Sequence, residues 1–232
     1  MAADQSPMNR IVYLHGFASS PHSRKARWFA ERFAERGVEI AVPDLAAGDF
    51  EHLTISGQLR LIEELCQGRP VTLIGSSMGG YLAALYAARH PEVEKLVMLA
   101  PAFCFAKRSM MLVGPPRFMQ WRISGTMQVF HYGEQREVPL SYGIVEDGQQ
   151  YEDFPEFRQP ALIFHGIQDV TVPYSLSKKF ATNHDNVRLW LLDSGHELTD
   201  SMEMMWDTTV DFLGLGGAEC GSEEEWVSHA EK

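Results

Sequence analysis

Cysteine is scarce in this 232-residue chain, and long apolar runs are missing from it. The three cysteines, Cys66, Cys104 and Cys220, are odd in number, widely spaced and in no CxxC pair. That argues against a disulfide framework and points to a reducing, cytoplasmic setting. No run of 18 apolar residues occurs, so the sequence predicts no membrane-spanning helix. The opening MAADQSPMNR has no apolar core of the kind a secretory signal needs, which fits the same expectation. Positive charge is also in short supply, with 20 Lys and Arg against 31 Asp and Glu and a net charge of −11. This balance disfavours a nucleic-acid or anionic-membrane partner, either of which would want a basic face. Neither HExxH nor a Cys/His cluster occurs, and no phosphate-binding loop ends in Gly-Lys-Ser/Thr. No metal and no cofactor are therefore expected.

What the chain does have is enough apolar material for a core. At 45% apolar, a chain of this length can bury roughly 70% of its unfolded surface without staples. The apolar pattern alternates between two periods. Short runs at Ile11–Leu14, Glu39–Asp44, Val71–Gly75, Lys95–Ala100, Ala161–Phe164 and Val187–Leu192 read as strands. Between them lie helical patterns. The first runs from an N-cap and N1 pair at Ser20-Pro21 to Arg36, with Gly37 closing it. Others cover Ile55–Cys66, Ser77–Arg89, Tyr174–Asn183 and Thr199–Phe212. Strand and helix in repeated alternation imply parallel pairing through right-handed crossovers, with helices on both faces of the sheet. The pattern breaks at about 102–158, after the fourth predicted strand, and this reads as a cap insertion. Its methionines (Met110, Met111, Met119, Met127) and aromatics (Phe118, Trp121, Phe130, Tyr132) suggest an adaptable apolar wall for acyl groups of modest size. Residues 1–213 thus form one domain, and 214–232, with five Glu and one Lys, read as an acidic disordered tail.

Gly75-Ser76-Ser77-Met78-Gly79 fits G-x-S-x-G and falls between a predicted strand and a predicted helix, the context that motif requires. A serine there projects its hydroxyl from a strained turn, and the flanking glycines remove side chains that would collide with it. A serine oxygen needs a base, and the base needs an orienting carboxylate. Asp169 follows one late predicted strand and His196 follows the next, at the same sheet edge as Ser77 although 92 and 27 residues separate the three. Asp193, three residues before His196, is a competing carboxylate. His15 and His165, at strand ends, read as loop-fixing hydrogen-bond partners rather than bases. An oxyanion hole would draw one backbone N–H from Met78 and one from the loop after the first strand, where Phe17 is the candidate and Gly16 lets the loop bend close.

These segments resemble the α/β-hydrolase superfamily, and more narrowly the small bacterial single-domain carboxylesterases with an HGF-x-SSP-type first loop. The matching residues are His15-Gly16-Phe17-Ala18-Ser19-Ser20-Pro21 with Ser23 and Lys25-Ala26, Gly75 to Gly80, His165-Gly166 with Asp169 and Val172-Pro173, and Gly195-His196. The resemblance implies Ser77 as nucleophile, Asp169 as acid and His196 as base, with the Phe17 and Met78 amides as the hole. It implies hydrolysis of small to medium acyl esters through an acyl-enzyme. An acyl thioester as substrate, or a non-catalytic binding protein on the same fold, stays open at this point.

Overall fold

The computed structural model describes residues 10–216. The part of the expected acidic tail from residue 217 onward, and Cys220 with it, lie outside the described residues.

Six parallel strands make the central sheet in the order β2-β1-β3-β4-β7-β8. They are β1 (Arg10–Leu14), β2 (Ile40–Ala41), β3 (Val71–Ser76), β4 (Val93–Leu99), β7 (Ala161–Gly166) and β8 (Val187–Leu192). Helices α1 (Arg24–Glu35), α2 (Ile55–Cys66), α3 (Met78–Ala87), α7 (Tyr174–Thr182) and α8 (Met202–Leu213) connect or follow them. This is the α/β-hydrolase arrangement, with parallel strands covered on both faces.

Period-two alternation sorts the strand residues between two cores. Val12, Leu14, Leu73, Leu96, Met98 and Ile163 pack with α2, α3 and α7. Ile11, Tyr13, Ile74, Val97, Leu99 and Phe164 pack on the other face with α1 and α8. There Trp206 of α8 meets Phe33 at 4.8 Å between ring centroids, Trp28 at 6.0 Å and Phe29 at 6.2 Å. Helix α3 is buried on all sides, which explains its run of small and apolar residues rather than an amphipathic stripe.

The segment between β4 and β7 has its own order. It folds as α4 (Phe105–Val113), α5 (Pro115–Ser124), an antiparallel hairpin of β5 (Thr126–His131) and β6 (Arg136–Ser141), and the short α6 (Gly143–Gly148). Trp121, Leu140, Tyr142 and Ile144 form a third core with Phe50 and Leu53, and the Trp121 indole N–H donates to the Leu140 carbonyl at 2.9 Å. The face bearing Met110, Met111, Met119 and Ile123 is exposed.

Two local expectations need correction. Helix α1 is capped by Ser23, whose hydroxyl accepts from the Ala26 N–H, rather than by Ser20. Ser20 and Pro21 instead open a turn closed by the Ser23 N–H on the Ser20 carbonyl, where proline suits the second position. Strand β2 is two residues long, not six, because it is an edge with only β1 to pair and Pro43 lacks an N–H to continue it. Replacing Trp206 by Ala should cost about 3–5 kcal/mol of unfolding free energy. A lower urea midpoint at an unchanged m-value would show it.

Candidate active site

Ser77 sits directly after β3 and caps α3 with φ 53° and ψ −113°, a left-handed conformation rare for a residue with a side chain. Its backbone is held from three sides. The Ser77 N–H donates to the Leu99 carbonyl at 2.8 Å, and its own carbonyl accepts from Tyr81 at 3.1 Å and Ala102 at 3.0 Å. The glycines around it have a direct steric cause. A Cβ on Gly75 would come within 3.0 Å of the Gly79 backbone, and one on Gly79 within 3.0 Å of the Leu14 and His15 backbone. Gly16 differs from expectation: a Cβ there would meet Ser76 O and Ser77 Cβ at 3.5 Å, an ordinary contact. The first loop does come close to the serine, but sterics at Gly16 do not demand glycine.

The loops leaving β7 and β8 bring Asp169 and His196 to Ser77. His196 Nδ1 donates to Asp169 Oδ2 at 2.6 Å, since an ionised carboxylate can only accept. That leaves Nε2 to accept the Ser77 hydroxyl at 3.0 Å. Asp169 has a fully buried side chain, whereas His196 keeps 16% of its side chain exposed. Burial works to raise the Asp169 carboxyl, but hydrogen bonds from His165, His196 and the Val172 amide together hold it well below the usual carboxylate range. Its second oxygen accepts the Thr171 and Val172 amides at 2.8 and 2.7 Å, so both oxygens are fixed. Fully buried His165 lies 3.2 Å from Asp169 Oδ2 and 2.9 Å from the Val172 carbonyl, and its Nδ1 is 2.7 Å from the Ser177 hydroxyl. It fixes the acid loop and does not face the serine. His15 plays the same part at β1: Nδ1 donates to the Gly16 carbonyl and Nε2 accepts the Leu45 N–H at 3.2 Å. Burial pushes its pKa down, which favours that neutral form. Asp193 is exposed and bonded to Gln168, away from the histidine.

Residues 10–214 match the family described as "Uncharacterised protein family (UPF0227)". The chain belongs to that family. Its fold is the α/β-hydrolase fold. Alpha/beta hydrolase domain-containing protein 10 from mouse superposes with a TM-score of 0.76 at 18% identity, covering 91% of each chain. Est1E from Butyrivibrio proteoclasticus does so at 0.72 and 21% identity, covering 89% of this chain and 87% of its own. Among curated proteins, monoacylglycerol lipase abhd6-A of Xenopus laevis is 22% identical over 225 residues, 90% of this chain. The chain spans 64% of that relative's length.

In this hydrolase fold the serine opens on a cavity of about 740 Å³. Phe17, Lys25, Ser77, His196 and Glu197 line it, and Tyr132 and Gly133 close it from the hairpin turn. The Tyr132 N–H donates to the Ala18 carbonyl at 2.8 Å, tying that turn to the first loop. The expected methionine wall is absent from the lining. Met110, Met111 and Met119 face outward, and Trp121 and Phe118 belong to the third core. Sequence reasoning also missed Arg108 of α4, whose guanidinium donates to the Thr171 carbonyl at 2.5 Å and supports the acid loop from the insert. A buried arginine on a short helix carries no motif that would have revealed it. No group of three His, Cys, Asp or Glu able to hold a metal occurs among the described residues. Gly79→Ala should unfold the protein or lower its stability by about 3 kcal/mol or more, whereas Gly16→Ala should fold with a loss of about 1 kcal/mol or less. Thermal melts of the two variants side by side test this.

Proposed function

We propose that this protein is a serine hydrolase of carboxylic esters, working through an acyl-enzyme. The observation that carries the reading is the pair of hydrogen bonds, Ser77 Oγ to His196 Nε2 at 3.0 Å and His196 Nδ1 to Asp169 Oδ2 at 2.6 Å, at a cavity large enough for a small to medium ester. The monoacylglycerol lipases among its relatives support the class of reaction.

His196 takes the Ser77 proton as the oxygen attacks the carbonyl, and Asp169 stabilises the imidazolium and its orientation. The developing oxyanion rests on the Met78 amide, at the start of α3, and on the Phe17 amide in the first loop. The N-terminal end of buried α3 adds a favourable dipole there. The alcohol leaves with the proton from His196, and water activated by the same imidazole releases the acid. The strain stored at Ser77 holds its hydroxyl at one place, so little ordering is left for the reaction step.

Ser77→Ala should lower kcat on a short-chain aryl ester by about 10⁴- to 10⁶-fold and abolish labelling by a fluorophosphonate probe. Turnover retained by that variant would overturn the assignment of the nucleophile. Asp169→Asn should cost about 10⁴-fold in kcat, while exposed Asp193→Asn should stay within about threefold. Because the Asp169 carboxyl is depressed, it stays ionised well below the ordinary carboxylate pKa. A pH–rate profile should therefore show no second ionisation on its acid limb above about pH 4.

A further inference from the structure

The chain has a net charge of −11, yet two consecutive cations, Arg24 and Lys25, line the catalytic cavity at the start of α1. That helix has no acidic residue in its first turn. Its Ser23 cap takes the Ala26 N–H, and the Arg27 N–H bonds back to the Ser23 carbonyl at 3.0 Å. The first-turn N–H groups that neither bond takes are those of Arg24 and Lys25.

Lys25 is the unusual member of the pair. Its side chain is only 10% exposed, although lysine is almost never buried without a close partner. The ion pair it makes is with Glu197 at 3.7 Å, longer than a hydrogen bond, and the Glu197 side chain is 75% exposed and hydrated. Burial pushes the ammonium below the ordinary lysine range, and the Glu197 carboxylate, with a smaller contribution from Asp169, offsets only part of that. An ammonium has three donors to place, and a distant, solvated carboxylate uses them poorly. Lys25 is part of the cavity wall. A negative group arriving there would find a desolvated cation, where charge attraction is strongest, together with the positive end of a 12-residue helix.

We propose that Lys25 and the first turn of α1 form an anion subsite, so that the preferred ester carries a carboxylate or phosphate away from its scissile carbonyl. The inference rests on the ester-hydrolase reading above and narrows it. Lys25 acts as a specificity determinant: it holds the charged end of the substrate while Ser77 and His196 work on the carbonyl. Glu197, next in sequence to the base, is the resident counter-charge that the substrate anion competes with.

The test uses two matched pairs of aryl esters. One pair has a terminal carboxylate or a methyl group on the acyl chain; the other has a carboxylate or its methyl ester on the alcohol ring. In the full-length protein, kcat/KM should favour the charged member of at least one pair by about tenfold or more. Lys25→Met should shrink that charged-to-neutral ratio about ten- to a hundredfold, and Glu197→Gln should raise it. Turnover of the neutral esters with no preference in either pair would overturn the inference and leave ester hydrolysis standing. Equal losses on charged and neutral esters in Lys25→Met would also overturn it, making the lysine a mere support of the His196 loop. No turnover of any of the four would sink both readings.

Discussion

The site depends on one close approach of backbones. The end of β1, the end of β3 and the first turn of α3 are packed so tightly that Gly75 and Gly79 leave no room for a methyl group between them and their neighbours. This contact forces the chain to reverse at Ser77 in a left-handed conformation and lifts the hydroxyl off the sheet edge. It also brings the first loop, with Phe17, beside the serine. Everything else supplies partners to a side chain whose position the backbone has already set.

The acid is fixed by a different device. Asp169 is removed from water, which by itself would favour its neutral form, and it is held ionised by four donors that converge on its two oxygens. The structure thereby stores a negative charge directly against the His196 imidazole. The support reaches outward through His165 to Ser177 and through Thr171 to Arg108 of the inserted segment. Burial and hydrogen bonding oppose one another here, and the number of well-placed donors decides the outcome.

Legibility in the sequence followed the strength of the local signal. Helix α2 spans Ile55–Cys66 as its amphipathic pattern predicts, and the structure adds the reason for its start, the Thr54 hydroxyl accepting the Gly57 N–H. Ser77, Asp169 and His196 could be placed together because parallel strands send their following loops to one edge, a rule that needs no coordinates. The misses have equally physical causes. The cap of α1 moved to Ser23 because Ser20 and Pro21 were taken up by a turn beside the cavity. The hairpin β5–β6 was hidden by Pro139, which pairs with Gln128 inside a strand where proline is seldom found. The outward direction of Met110, Met111 and Met119 could not be read at all, since methionine suits a core, a binding wall and an outer face alike.

The hairpin turn meets the first loop through the Tyr132 N–H on Ala18, and a Cβ on Gly133 would press against Ser20. The roof of the cavity is thus docked onto the first loop at its tip, while the hairpin behind it packs on Phe50 and Leu53 without entering the sheet. Lengthening or exchanging that turn would redraw the chamber's outline without unpicking a single strand of the sheet. The outline of the cavity can thus vary while Ser77, His196 and Asp169 keep their hydrogen bonds to one another.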